Sequence, residues 1–375
     1  MRFPNDVPVL TDGVVTLRAH GEDDVPGVLE QSTDPVSRAW TTVPVPYTRD
    51  DAKRFVRDAM PGGWLSDQEW GFAVTYDGGY AATVSLRNEG ERRAEIAYGS
   101  HPRIRGTGGM ERALRLILDW GFGEDGPGLD TVVWWANRGN WPSRRLAWRL
   151  GFTTDATLRS WLPQRGELLD AWAGTLLRTD ERRPRHPWPD APTIESPRLP
   201  LRLRRARDGD AARMAEACAD PLTAQWLGET PQPYDCTHAE AFLVAAAERR
   251  ALGEALHLVA ADRADDRLLG LVGLTSIDPV LGSTELGFWV HPDARGHGVA
   301  SEATRLAIRH ALLPADEGGL GLVRVSARAA VGNGASLAVL RRVGMRHVGT
   351  LRLGSRTRDG LADTELHEAV DPGPV

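Results

Sequence analysis

Trp289-Val290-His291-Pro292-Asp293-Ala294-Arg295-Gly296-His297-Gly298-Val299-Ala300-Ser301-Glu302-Ala303 reads as a strand that enters a glycine-rich turn and leaves it as a helix. Downstream, Ala303, Leu306, Ala307, His310 and Ala311 recur at helical spacing. Glycine permits left-handed backbone angles and lets an anion come close. The first amides of a helix have no partner within it, and together with the helix dipole they form an anion site. Ala300 is too small to collide with such an anion, and Arg295 can add positive charge. Two common phosphate loops are excluded. No Gly-Lys-Ser/Thr tripeptide occurs, and Ser301 stands at the sixth place of a G-x-G-x-x-G pattern, where Gly or Ala is required. A plain tight turn would explain the glycines alone, so the surrounding sequence has to decide.

That surrounding sequence occurs twice. Glu95-Ile96-Ala97-Tyr98-Gly99-Ser100-His101-Pro102 returns 190 residues later as Glu285-Leu286-Gly287-Phe288-Trp289-Val290-His291-Pro292. Arg105-Gly106-Thr107-Gly108 matches Arg295-Gly296-His297-Gly298 at the same offset. Asn140-Trp141-Pro142-Ser143 then matches Asn333-Gly334-Ala335-Ser336, and Gly151-Phe152 matches Gly344-Met345, both at an offset of 193. Matching blocks in one order across half a chain indicate a duplicated unit. Between the copies, residues 180–192 contain Pro184, Pro187, Pro189 and Pro192, which disfavours helix and strand. The expected organisation is a domain over residues 1–179, a linker over 180–192 and a second domain over 193–375.

Each copy has the same coarse pattern. An early strand (residues 14–19; 199–204) leads into a helix opened by acidic residues. Two strands follow (71–76 with 80–87; 256–261 with 268–277), then the strand ending in His-Pro, the turn and its helix. A further strand (131–135; 322–327), a helix after Asn-x-x-Ser and one closing strand complete the unit. Strands interrupted by packed helices point to an α+β fold, a mixed α/β sheet in each half.

Composition narrows the class of function. The 375 residues carry 45 Lys plus Arg against 51 Asp plus Glu, a net charge of −6, so the chain as a whole lacks the positive field of a nucleic-acid binder. No apolar run approaches the roughly 20 residues needed to cross a bilayer, and the first residues lack the apolar core of a signal peptide. Cys218 and Cys236 form no CxxC pair, and the ten His show no ligand spacing, so no metal is expected. The expectation is a cytoplasmic protein without nucleic-acid or membrane partners.

Arg295-x-x-Gly298-x-Ala300, with the Glu285 to Pro292 block before it and Asn333-Gly334-Ala335-Ser336 … Gly344-Met345 after it, resembles the GCN5-related N-acetyltransferase (GNAT) family. The flanking blocks resemble the branch that acetylates ribosomal-protein N-termini. The resemblance covers nearly all of both halves and implies two GNAT-like domains, each a splayed mixed sheet flanked by helices, with acetyl-CoA as donor and no metal. It places the pyrophosphate on amides from Arg295 through Gly296, His297, Gly298 and Val299 to Ala300, next to Ser301, and the pantetheine arm beside Phe288, Trp289 and Val290. Asn333 would hold the pantetheine or the local turn, and His297 could touch phosphate. Glu285 would take the proton of the acceptor ammonium, a role that partial burial and a raised pKa would suit. The Val290 amide would polarise the thioester carbonyl. Ser336 has two readings, a helix cap or the acid that protonates the departing sulfur.

The first copy departs from the pattern. Met110 stands where Ala300 stands in the second copy, and its side chain would either crowd a pyrophosphate or swing away. Glu95 and Ser143 are kept, so weak or absent CoA binding is expected there with the acid–base pair in place. Eleven of the thirteen Trp lie at or before Trp188, and Trp134, Trp135, Trp141, Trp148, Trp161 and Trp172 follow the first glycine turn. They read either as core and interface or as an aromatic acceptor pocket or protein-binding face. The expected activity is acetyl transfer to a primary amine of a small molecule or a protein N-terminus. The alternative is a tandem acyl-CoA sensor or scaffold without turnover. Oligomeric state stays open between a monomer with pseudo-two-fold domains and a homodimer.

Overall fold

The computed structural model describes residues 3–371. The chain divides into two compact units, Met1–Arg185 and His186–Val375. The first holds β1 (Leu10–Thr11), β2 (Val15–Arg18), β3 (Glu69–Tyr76), β4 (Gly79–Gly90), β5 (Arg93–Ser100), β6 (Thr131–Asn137), β7 (Ala156–Gln164) and β8 (Glu167–Leu177). The second holds β9 (Ile194–Glu195), β10 (Leu201–Arg205), β11 (Leu256–Asp262), β12 (Leu268–Asp278), β13 (Ser283–Val290), β14 (Arg324–Ala330), β15 (Arg346–Thr357) and β16 (Gly360–Val370). Both sheets have one strand order, β1-β2-β3-β4-β5-β6-β8-β7 and β9-β10-β11-β12-β13-β14-β16-β15. Neighbours are antiparallel except β5 with β6 and β13 with β14, which run parallel. The expected mixed sheet is therefore built twice.

Alternation along the central strands explains why helices cover both faces. In β11, Leu258 and Ala260 join a core with Ala303, Leu306, Ala307 and Ala311 of the helix Val299–Leu312. Val259 and Ala261 point the other way, to Ala211, Met214 and Ala215 of the helix Ala211–Ala219 and to Ala239. A period of two places alternate residues on opposite faces, so a strand apolar at every position must be buried on both.

Two features differ from the expected pattern. Each unit ends in a two-stranded hairpin, not one closing strand. β7 and β15 are mostly exposed, so they lack the apolar alternation that would reveal them. Their turns need special backbone: Arg165 and Gly166 have φ of 49° and 88°, and Gly360 has φ of 117°. Residues 181–193 form neither helix nor strand, yet they are packed. Arg115 donates to the Arg182 carbonyl at 2.7 Å, and Arg185 Nε donates to the Gly151 carbonyl at 2.7 Å, within the first unit. In the second unit, Arg250 donates to the Pro189 carbonyl at 3.4 Å, and Ala191 packs on the core.

Candidate active site

The parallel pair β13–β14 opens partway along. Ser283 to Leu286 pair with Arg324 to Ala327, and among the described residues the pairing does not reach Gly287, Phe288, Trp289 or Val290. The His291 amide donates to the Leu269 carbonyl at 2.9 Å. In an antiparallel pair, residues that exchange hydrogen bonds alternate with residues that turn their amide and carbonyl outward. With Gly270 opposite Val290 and Val272 opposite Phe288, the backbone groups of Phe288 and Val290 face the gap. A Cβ at Gly287 would meet nothing within 4 Å. The gap has the unpaired amides of Phe288 and Val290 on one wall, and Trp289 packs away from it against the helical layer on the other face.

The gap leads to the turn. His291 ties the strand end down: its Nδ1 lies 2.7 Å from Asp293 and its Nε2 3.1 Å from Glu216. Gly296 and Gly298 have φ of 80° and 79°, angles that cost a side-chain-bearing residue strain. Among the described residues, the amides of residues 296–301 find no acceptor. They converge at the start of Val299–Leu312, as an anion site requires. The amide of Arg295, expected among these donors, is instead spent on the Pro292 carbonyl at 3.3 Å. Its guanidinium is committed too: it bonds Asp220 and, at 2.7 Å, Thr223. Arg295 thus fastens the turn to the short helix Pro221–Ala224, and its charge holds the Asp220 carboxyl below the usual range. His297 is exposed, Ala300 half-buried and Ser301 buried.

Glu285 sits on β13 opposite Ser326, just before the gap. It is partly buried, as expected, and its carboxylate accepts from Arg328 at 2.6 Å. Asn333 Oδ1 accepts from the Ser336 amide at 3.1 Å and caps the helix Gly334–Arg342. The cap therefore belongs to Asn333, which leaves the Ser336 hydroxyl to other uses.

The first unit has the same framework, with two of the corresponding turn amides and the fork of its parallel strands engaged by its own residues. Arg105 bonds Asp34 at 2.6 Å and Ser37 at 2.8 Å, the counterpart of the Arg295 tie. Thr107 replaces His297. Its amide donates to the Ile104 carbonyl at 3.3 Å, and its hydroxyl accepts from the Gly109 amide at 3.1 Å. Met110 turns into the core and is buried. In the gap, Tyr98 stands for Phe288 and Trp134 for Ala327. Ser143 Oγ lies 2.7 Å from the Tyr98 hydroxyl and accepts from Trp134 Nε1 at 3.0 Å. This triangle spans the parted strands. Thr107, Tyr98 and Trp134 all differ visibly between the copies, but the register is needed to show that they meet. Glu95 shares Arg87 with Glu69, at 3.3 Å each, and burial pushes its carboxyl up.

Comparison with known proteins gives the family. The sequence model of the acetyltransferase (GNAT) domain matches residues 15–153 and again 200–346. The chain belongs to that family, once in each unit. YdaF of Bacillus subtilis (strain 168), a ribosomal N-acetyltransferase by name, is 35% identical over 103 residues, 28% of this chain and 50% of that protein. The chain thus spans about half the length of that relative. Among solved structures, Mycobacterium smegmatis RimJ in complex with CoA-disulfide is 23% identical, covering 49% of this chain and 90% of its own, with a TM-score of 0.44. The ribosomal-protein-S5-alanine acetyltransferase of Vibrio fischeri is 17% identical, covering 49% of this chain and 100% of its own, with a TM-score of 0.43.

Proposed function

We propose that the chain is an acetyl-CoA-dependent N-acetyltransferase acting on a primary amine, with its chemistry in the C-terminal unit. The observation that carries this is the continuous path from Glu285 along the open edge of β13 to the unpaired amides of residues 296–301. A diphosphate fits those amides, and an extended pantetheine arm fits the backbone groups that Phe288 and Val290 turn into the gap. Glu285 accepts the proton of the acceptor ammonium, directly or through water. The neutral amine then attacks the thioester carbonyl while the Val290 amide stabilises the developing oxyanion. The C–S bond breaks, the Ser336 hydroxyl protonates the thiolate, and the proton lost from the attacking nitrogen, passed on through water, restores the serine. Asn333 holds the helix that presents Ser336, and Arg295 holds the turn. The relatives' names point to a ribosomal-protein N-terminus as acceptor, and small-molecule amines form the other arm of the assay.

Thiol release from acetyl-CoA over a panel of amines and N-terminal peptides tests the activity. Tight acetyl-CoA binding with no release for any acceptor would favour the sensor reading instead. Ser336→Ala is expected to lower kcat by about 100-fold, the low end of the range of general acids, and unchanged turnover would remove the acid role. The Tyr98–Ser143–Trp134 triangle and the Thr107 bonds support donor binding in the C-terminal unit alone. Calorimetric titration of the full chain is expected to give one acetyl-CoA per chain. A stoichiometry of two would assign the first unit a working donor site.

A further inference from the structure

The row of residues beside Glu285 departs from the rest of the sheet. His257 on β11, Gly273 on β12 and Gly287 on β13 lie directly opposite one another. Opposed residues share a face, and Gly287 is two residues on from Glu285, so the row lies on the Glu285 side. A glycine inside a strand marks a place where another group comes close to the backbone. At Gly273 that group is His257. A Cβ there would meet the imidazole Cδ2 at 2.8 Å and Nε2 at 3.1 Å. Because β12 lies between β11 and β13, the ring extends across Gly273 toward Gly287, where the space is open. Phe242 holds the ring edge-on, with centroids 5.2 Å apart and planes at 83°. An imidazole thus borders the bare backbone between Glu285 and Val290.

The state of that imidazole follows from its surroundings. Burial, reinforced by the Arg249 charge, pushes its pKa down to about 4, so the ring is neutral at neutral pH. Nδ1 is buried without a partner. A buried N–H without an acceptor is costlier than a bare lone pair, so the single ring proton belongs on Nε2. Among the described residues Nε2 has no hydrogen-bond partner either. The C-terminal unit therefore holds a neutral N–H donor over Gly273 that none of its own groups uses. In the first unit the matching row is Gly71, Ser85 and Ala97, and the Met60 sulfur fills the space at Gly71. The imidazole belongs to the second unit alone.

We propose that His257 is a specificity-determining residue for the acceptor, its Nε2–H donating to a carbonyl oxygen carried on the carbon next to the reacting amine. The acceptors it selects are α-amino carbonyl compounds, amino-acid amides and peptide N-termini alike, over simple alkylamines. An amine that passes its proton to Glu285 and attacks a carbonyl held at Val290 stands over Gly287. A substituent on its α-carbon that turns toward β12 then meets the Nε2–H. A carbonyl there satisfies the donor, whereas a methyl group shuts it away from water unpaired. Sites built around such a bond reject analogues that lack the bonding atom. This assignment rests on the acetyl-transfer reading of the C-terminal unit.

L-Alaninamide and isopropylamine, in which a methyl group replaces the carboxamide, form the test pair. His257→Phe in the full chain keeps the bulk of the ring and removes the donor. It is expected to lower the alaninamide-to-isopropylamine ratio of kcat/KM by about tenfold, the cost of one unpaired buried carbonyl. His257→Gln, whose side-chain amide carries an N–H to much the same place, is expected to restore most of the ratio. A thermal melt shows that both variants fold. An unchanged ratio in His257→Phe would overturn the proposal, whether turnover is kept or both amines lose it equally. Should the wild type turn over neither amine, titration of alaninamide into the CoA-loaded chain decides. Weaker binding in His257→Phe then keeps the assignment while the acetyl-transfer reading falls, and equal or absent binding overturns both.

Discussion

Gly298→Asp is expected to lower acetyl-CoA affinity by at least a hundredfold, about 3 kcal/mol, while leaving the fold intact. Gly298 has φ of 79° at the mouth of the amide cluster, and a Cβ there meets only Leu199, at an ordinary 3.7 Å. Asp is among the few residues with a side chain that tolerate this backbone region, so the turn can form. Its carboxylate would lie beside amides proposed to hold a diphosphate. There it repels the phosphates and competes for the same donors, as the Thr107 hydroxyl does for the Gly109 amide in the first unit. Gly108→Asp, the same change in the first unit, is expected to leave affinity unchanged. Calorimetry with a thermal melt as folding control decides the matter. Wild-type affinity in Gly298→Asp would place the donor elsewhere.

Glu285→Gln is expected to lower kcat by about 10² to 10³, the range of a positioned general base, with the KM for acetyl-CoA within a few-fold of wild type. Gln keeps the size and polarity of the side chain but cannot accept the ammonium proton. The residue precedes the gap and contributes nothing to the amide cluster, so donor binding should persist. Arg328 sharpens the expectation. Its guanidinium holds the carboxylate at 2.6 Å, so the side chain is oriented before an amine arrives. Steady-state kinetics with a fixed acceptor measure both parameters. A kcat within threefold of wild type would assign proton removal to another group or to bulk water.

Much of this framework is legible in the sequence because its signals are local. The repeated Glu-to-Pro block, the Arg-x-x-Gly turn and the helical spacing from Ala303 to Ala311 each lie within about fifteen residues. What could not be read depends on distant partners. Arg295 looks like a phosphate ligand until Asp220, on a loop 75 residues earlier, is seen to hold it. The hairpin strands β7 and β15 are hidden because exposed strands carry no apolar alternation. Trp134 is conspicuous as a bulky replacement for Ala327, but only the parallel register brings it and Tyr98 together at Ser143. That the helix cap is made by Asn333 rather than Ser336 shows only in the bond from the Ser336 amide.

The arginine clasp has a practical corollary for reading other duplicated chains. Because Arg105 and Arg295 both clamp an aspartate at the start of a neighbouring helix, a search pattern that rewards this arginine scores a scaffold contact that both units share. Counting cosubstrate sites by such a pattern would credit this chain with two. The pair at the strand fork, Tyr98 with Trp134 bonded to Ser143 in one half and Phe288 with Ala327 in the other, is the better census.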